Sequence, residues 1–268
     1  MNQLINLFFN FPQTEAVVLG GSRSGNHFDE KSDYDVYIYV TKPIPEDDRT
    51  KLYQKYCKNF ETSNHYFEYE DNCILNDDVP TDIIFRNPED IEKYLKYVVD
   101  EHHAFNGYTT CFWHNVINSQ ILFDRNGWFT RLQKKYTIPY PVQLKNNIIE
   151  RNMNLLTDAL PAYDRQILKA INRNDFVSIN HRTAAFMESY FDIIFAMNEK
   201  THPGEKRLTE ICQKECCLLP EHFEENIHKL LSDIVLNQQK VKDDLDNMVI
   251  ALKKILSENG LYQAGVLQ

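Results

Sequence analysis

The chain has 268 residues and a formal net charge of −10, from 29 Lys and Arg against 39 Asp and Glu. That balance argues against holding a long nucleic acid by phosphate neutralisation. With 43% apolar and 25% charged residues the composition is that of a globular protein long enough to bury a core without staples. Eight glycines and ten prolines exclude collagen-like or low-complexity character, and no apolar run approaches the ~18 residues of a membrane span.

The first segment, Met1–Gln13, reads as an amphipathic helix, with Leu4, Ile5, Leu7, Phe8 and Phe9 but no basic n-region or cleavage site. A cytoplasmic location with no membrane partner is the expectation. Ala16–Leu19 is a short apolar strand ending in Gly20-Gly21, and Val36–Val40 is a second strand. Pro45–Phe60 carries Leu52, Tyr53, Tyr56 and Phe60 at near-helical spacing. His65–Tyr69 and Thr81–Phe85 read as two further strands. Pro88–Val99 has Ile91, Tyr94, Leu95 and Val98 on one helical face behind an Asn87-Pro88 start signal. Gly107–Asn118 and Trp128–Tyr136 read as helices, with Gln120–Phe123 a strand between them.

The character changes at Ile138-Pro139-Tyr140-Pro141, where two prolines mark a boundary. Val142–Leu160, Asp164–Asn172, Val177–Asn198, Glu221–Val235 and Lys240–Leu256 are all helical in rhythm. The expectation is an α+β chain, with a mixed-sheet domain over residues 1–140 and an all-helical domain over 141–268. The six cysteines, at 57, 73, 111, 212, 216 and 217, lack disulfide-framework or paired metal-site spacing and read as structural thiols.

The chemistry concentrates in Gly20-Gly21-Ser22-Arg23-Ser24-Gly25 and Ser32-Asp33-Tyr34-Asp35-Val36. Two glycines after a strand let the backbone turn tightly and approach a ligand closely. At Ser22 a hydroxyl and free N–H groups can meet phosphate oxygens. Asp33 and Asp35, two apart on a strand entry, aim both carboxylates at one face, and Val36, Ile38 and Val40 point the other way. Two carboxylates held side by side repel unless a cation sits between them, and oxygen-only ligands suit Mg²⁺. Asp82, an acid on an otherwise apolar strand, is the best third carboxylate, with Glu68 and Glu70 as alternatives.

Gly21-Ser22, a ten-residue spacer, then Asp33-Tyr34-Asp35 followed by apolar residues resembles the signature of the polymerase-beta-type nucleotidyltransferase superfamily. With a helical second half, the chain is similar to the aminoglycoside and lincosamide nucleotidyltransferases. The signature covers Val17–Val40 closely and Thr81–Phe85 loosely. The resemblance implies two Mg²⁺ ions held by Asp33, Asp35 and Asp82, with ATP or another nucleoside triphosphate as co-substrate. It also implies Gly21, Ser22, Arg23 and Ser32 on the nucleotide, and Asp82 or a nearby Glu as proton acceptor. The acceptor it implies is a small hydroxylated compound. A protein-directed, AMP-adding regulator of the antitoxin type and a non-catalytic nucleotide-binding module are the competing readings.

Asn198–Leu208 carries a second local signal. After the aromatic helix Ala184–Met197, the Pro203-Gly204 turn leads into a new helix read as bearing Lys206 and Arg207 in its first turn. Cations there oppose the helix dipole, and anion binding gives them a reason to be present. By the resemblance, Lys206 reaches the triphosphate with Arg207 or Arg182 in support. His202 reads as turn packing.

Overall fold

The computed structural model describes residues 2–21 and 33–262, which divide into two compact units. The first comprises Met1–Lys96 and Phe112–Ile138, and the second Tyr97–Cys111 and Pro139–Gln268.

In the first unit, six described strands form one mixed sheet: β1 (Thr14–Gly20), β2 (Tyr34–Val40), β3 (Cys57–Asn64), β4 (Glu70–Leu75), β5 (Pro80–Arg86) and β6 (Gln120–Asp124). The spatial order is β3-β4-β5-β2-β1-β6. Only β2 and β5 pair in parallel; the other neighbours are antiparallel. One sheet face, with Val17, Leu19, Val36, Ile38, Val40, Ile83 and Phe85, packs against Leu4, Ile5 and Phe8 of α1 (Asn2–Phe8) and Tyr53 of α2 (Glu46–Tyr56). Strand alternation therefore sends the odd-numbered side chains of β2 to the opposite face.

Under α2 lies a buried ion pair. Arg49 meets Asp71 of β4 with the two side chains 1% and 0% exposed. Asp71 also accepts from Tyr53 Oη at 2.5 Å and from the Ser63 N–H at 2.8 Å, while Arg49 donates to Tyr69 Oη at 2.7 Å and to Ser63 Oγ at 3.0 Å.

Three helices complete the unit. α3 (Pro88–Leu95) starts where Asn87 Oδ1 accepts the Glu89 N–H, with Pro88 following the cap. α4 (Cys111–Asn118) begins later than the expected Gly107, because Gly107 and Tyr108 both have positive φ, 87° and 53°. α5 (Trp128–Tyr136) has its first turn held by Asp124, which accepts from the N–H groups of Phe129 and Thr130.

Two expectations are corrected, one for a helix and one for a strand. The helix read over Pro45–Phe60 ends at Tyr56, and the chain passes directly into β3. His65–Tyr69 is not a strand but the loop joining β3 to β4, with Tyr66 and Phe67 largely in solvent. Both strands are polar (CKNFETSN and EDNCIL), because β3 is an edge and the acidic Asp71 of β4 is neutralised within the core by Arg49. Pairing and a buried partner, not β-propensity, decide such segments.

The second unit is helical, with α6 (Val142–Met153), α7 (Tyr163–Ile171), α8 (Phe176–Met197), α9 (Leu208–Glu215), α10 (Phe223–Leu236) and α11 (Val241–Glu258). α6 continues into a π-helical turn over Asn154–Asp158, as α3 of the first unit does over Lys96–Asp100. α8 is capped by Asp175 and buries every residue from Ser189 to Met197. Tyr97–Cys111 lies in this unit, where Thr109 donates its N–H and hydroxyl to the buried Asp192 of α8. His202 is buried against Tyr108 and Phe195 and contacts Cys111 Sγ through Nδ1 at 3.5 Å. Lys206 and Arg207 are not in the first turn of a helix: α9 begins at Leu208, and Arg207 precedes it in a left-handed conformation with φ 56°. Among the described residues no helix is long and apolar enough to cross a membrane.

Candidate active site

The sheet register assembles the site. Gly20 pairs with Asp35 across β1 and β2, Asp35 with Asp82 across β2 and β5, and Asp82 with Asn72 across β5 and β4. These four residues form one row across four strands, on the face opposite the α1–α2 core. Asp33 lies two residues before Asp35 and joins the same group. Asp33, Asp35 and Asp82 each offer a carboxylate oxygen, all within 4.8 Å of one another, and all three residues are half-buried.

The two glycines create the space for this arrangement. Gly21 has φ +63°, and a Cβ there would lie 1.7 Å from Asp35 Oδ2. Any side chain at 21 must displace the carboxylate, in a backbone region that already favours glycine. A Cβ on Gly20 would lie 2.4 Å from Tyr37 Cε2 and 2.8 Å from Asn115 Nδ2, so this glycine lets Tyr37 and Asn115 close over β1.

Behind the carboxylate row stands a cationic support. Arg86, on the same face of β5, makes a two-pronged contact with Glu68 at 2.8 and 2.6 Å and donates to Asn115 Oδ1 at 3.0 Å. Its guanidinium sits 4.1 Å from the centre of the Tyr37 ring. Burial pushes the Tyr37 hydroxyl up to about 12, with Arg86 working in the opposite direction, so Tyr37 is neutral at ordinary pH. Burial also raises the Glu70 carboxyl above its usual range; the Asn72 amide opposes that rise and the nearby Asp82 charge adds to it.

Three carboxylates at this spacing, with neither sulfur nor imidazole among them, make a hard oxygen donor set. Their mutual repulsion in a half-buried row is relieved by a divalent cation, and the residues fit Mg²⁺.

Asp33, Asp35 and Asp82, chosen from sequence, are thus brought together, with Gly21 against Asp35. Ser22, Arg23 and Ser32 lie outside the described residues. Lys206 and Arg207 belong to the second unit, in the turn before α9. Of the alternatives to Asp82, Glu70 is buried near it, whereas Glu68 is engaged by Arg86. Sequence reasoning missed Asn72, whose Nδ2 donates to Asp82 Oδ1 at 2.8 Å, and Arg86. The signal for Arg86 was its period-two spacing from Asp82 on β5; Asn72 had none, because β4 itself was not recognised.

A family model described as a domain of unknown function, DUF4037, matches residues 111–208, a stretch that contains none of the three carboxylates. No curated protein matches the chain. Among solved structures, the chain is similar to a nucleotidyltransferase-like protein from Exiguobacterium sibiricum 255-15, with 11% identity, a TM-score of 0.43, and coverage of 96% of this chain and 73% of that one. It is also similar to an aminoglycoside 6-adenyltransferase from Bacillus subtilis, with 13% identity, a TM-score of 0.36, and coverage of 98% of this chain and 91% of that one.

Proposed function

We propose that the chain is a nucleotidyltransferase that moves a nucleoside monophosphate from a triphosphate, ATP in the first instance, to a hydroxyl of a small acceptor such as an aminoglycoside- or lincosamide-like compound. The observation that carries this reading is the convergence of Asp33, Asp35 and Asp82 within 4.8 Å beside a Gly-Gly strand end.

Asp33, Asp35 and Asp82 would hold Mg²⁺, which when bound screens the triphosphate and stabilises charge developing at the α-phosphorus. The acceptor oxygen forms a bond to the α-phosphorus, the bond to the bridging oxygen of the β-phosphate breaks, and pyrophosphate leaves. The hydroxyl proton goes to a carboxylate at the row, Asp82 or the neighbouring Glu70. Gly21 keeps the space beside Asp35 free of any side chain. Ser22, Arg23 and Ser32 are the proposed phosphate contacts, and Lys206 and Arg207 the proposed cationic contacts. A charged contact of this kind contributes ~1–3 kcal/mol, so Lys206→Ala should raise the nucleotide KM by roughly 5- to 150-fold.

The test incubates the full chain with Mg²⁺, each α-labelled nucleoside triphosphate, and a panel of aminoglycosides and lincosamides. Label transfer with pyrophosphate release is expected, and its loss in Asp33→Asn and Asp35→Asn with folding intact. Turnover retained in either variant removes the catalytic assignment. Failure of every Mg-nucleotide to bind removes the reading as a whole.

A further inference from the structure

Asp82 is not held by its backbone alone. Its Oδ1 accepts from Asn72 Nδ2 at 2.8 Å, and Asn72 Oδ1 accepts in turn from Asn64 Nδ2 at 2.8 Å. Asn64, the last residue of β3, uses its own Oδ1 to accept the backbone N–H of Tyr66 at 2.9 Å. Three hydrogen bonds thus run from the loop after β3 to the third carboxylate.

The direction of this chain is fixed chemically. A backbone N–H can only donate, so the oxygen of the Asn64 amide must face Tyr66 and its NH₂ group must face Asn72. Asn72 must then present its oxygen to Asn64 and its own NH₂ to Asp82. The amides cannot be reversed without placing NH₂ against N–H at one end and oxygen against a carboxylate at the other. The relay therefore delivers an N–H to Asp82 Oδ1, which restrains the rotation of its carboxylate.

We infer that Asn72, oriented by Asn64, is a positioning residue that fixes the Asp82 carboxylate for divalent-cation binding. The inference rests on the proposed reading of the carboxylate row and adds two residues to it. Partners that orient metal ligands typically change metal affinity 10- to 100-fold when removed. The geometry also makes Asn64, at the loop, an indirect determinant of the site two side chains away.

The experiment titrates Mn²⁺ into the metal-free full chain by calorimetry, with the thermal midpoint of each metal-free variant measured alongside. Asn72→Ala should weaken Mn²⁺ binding about tenfold, and Asn72→Ser, which keeps a donor, should recover most of that loss. Asn64→Asp supplies the decisive sign. It preserves shape and still accepts from Tyr66, but it offers Asn72 no N–H and adds a negative charge near the site. Charge alone would tighten cation binding; loss of the relay weakens it severalfold. Wild-type affinity in Asn72→Ala, or unchanged or tighter binding in Asn64→Asp, overturns the inference and leaves the carboxylate row standing. Should Asn72→Ala fail to fold, the Ser and Asn64→Asp variants decide the question. Absence of Mn²⁺ binding in the wild-type chain overturns this inference together with the metal-dependent reading on which it rests.

Discussion

At Gly21, a side chain and the Asp35 carboxylate would compete for the same volume. The backbone there has φ +63°, and a Cβ would fall 1.7 Å from Asp35 Oδ2. Gly21→Ala should therefore cost only about 1–2 kcal/mol of stability, from the left-handed conformation, because the flexible end of Asp35 can rotate away. Divalent-cation binding should suffer far more than folding, since that rotation breaks the carboxylate group. A thermal melt and an Mn²⁺ titration on the same sample check both halves, and wild-type Mn²⁺ affinity in Gly21→Ala would contradict the crowding argument. Sequence reading reached Asp33, Asp35 and Asp82 because alternation along a strand is a local rule and an acid amid apolar strand residues is conspicuous. It could not reach Asn72, whose role depends on β4 lying antiparallel to β5 in a register that pairs Asn72 with Asp82.

Between elements, the same carboxylate chemistry serves structure. Asp71 of β4 faces the core and ties α2 to the sheet through Arg49, Tyr53 and Ser63. Removing one partner leaves the other charge buried, so Asp71→Ala should destabilise the chain by about 3–5 kcal/mol. Replacing Asp71 and Arg49 together by apolar residues should cost much less than that single change. Chemical denaturation of the single and double variants measures the difference, and equal losses would show that the pair is not acting as a unit.

In the helical unit, Asp192 of α8 provides a pH-dependent counterpart. Burial pushes its carboxyl up to about 7 from an ordinary 3.8, against the pull of bonds from Thr109 and Asn152. The folded state therefore holds a proton more tightly than the unfolded state between about pH 4 and pH 7. The stability contributed by this group is fully present below the unfolded value and is lost as pH rises through the folded one. Asp192→Asn should flatten the fall in stability across that window, whatever its effect on stability itself. An unchanged slope in denaturation midpoints from pH 4.5 to 7.5 would rule out Asp192 as its source.

For the molecule as a whole, the proposed reading predicts linkage between nucleotide and folding. Saturating Mg-ATP should raise the thermal midpoint by mass action, stabilising the fold by about 2.7 kcal/mol at 100 times Kd, and Asp35→Asn should abolish that rise. No shift at millimolar Mg-ATP would count against nucleotide binding itself. The sequence alone determined the α+β character, the succession of helices after Pro141 and the carboxylates at 33, 35 and 82, since hydrophobic period, proline punctuation and strand alternation are properties of neighbouring residues. Tertiary structure decided what depends on distant partners. It made strands of the polar segments Cys57–Asn64 and Glu70–Leu75 by pairing them and neutralising Asp71. It placed Tyr97–Cys111 with the helical unit through Thr109 and Asp192, and began α9 at Leu208, after Lys206 and Arg207. Register, burial and backbone handedness arise from contacts across tens of residues, and a local pattern does not carry them.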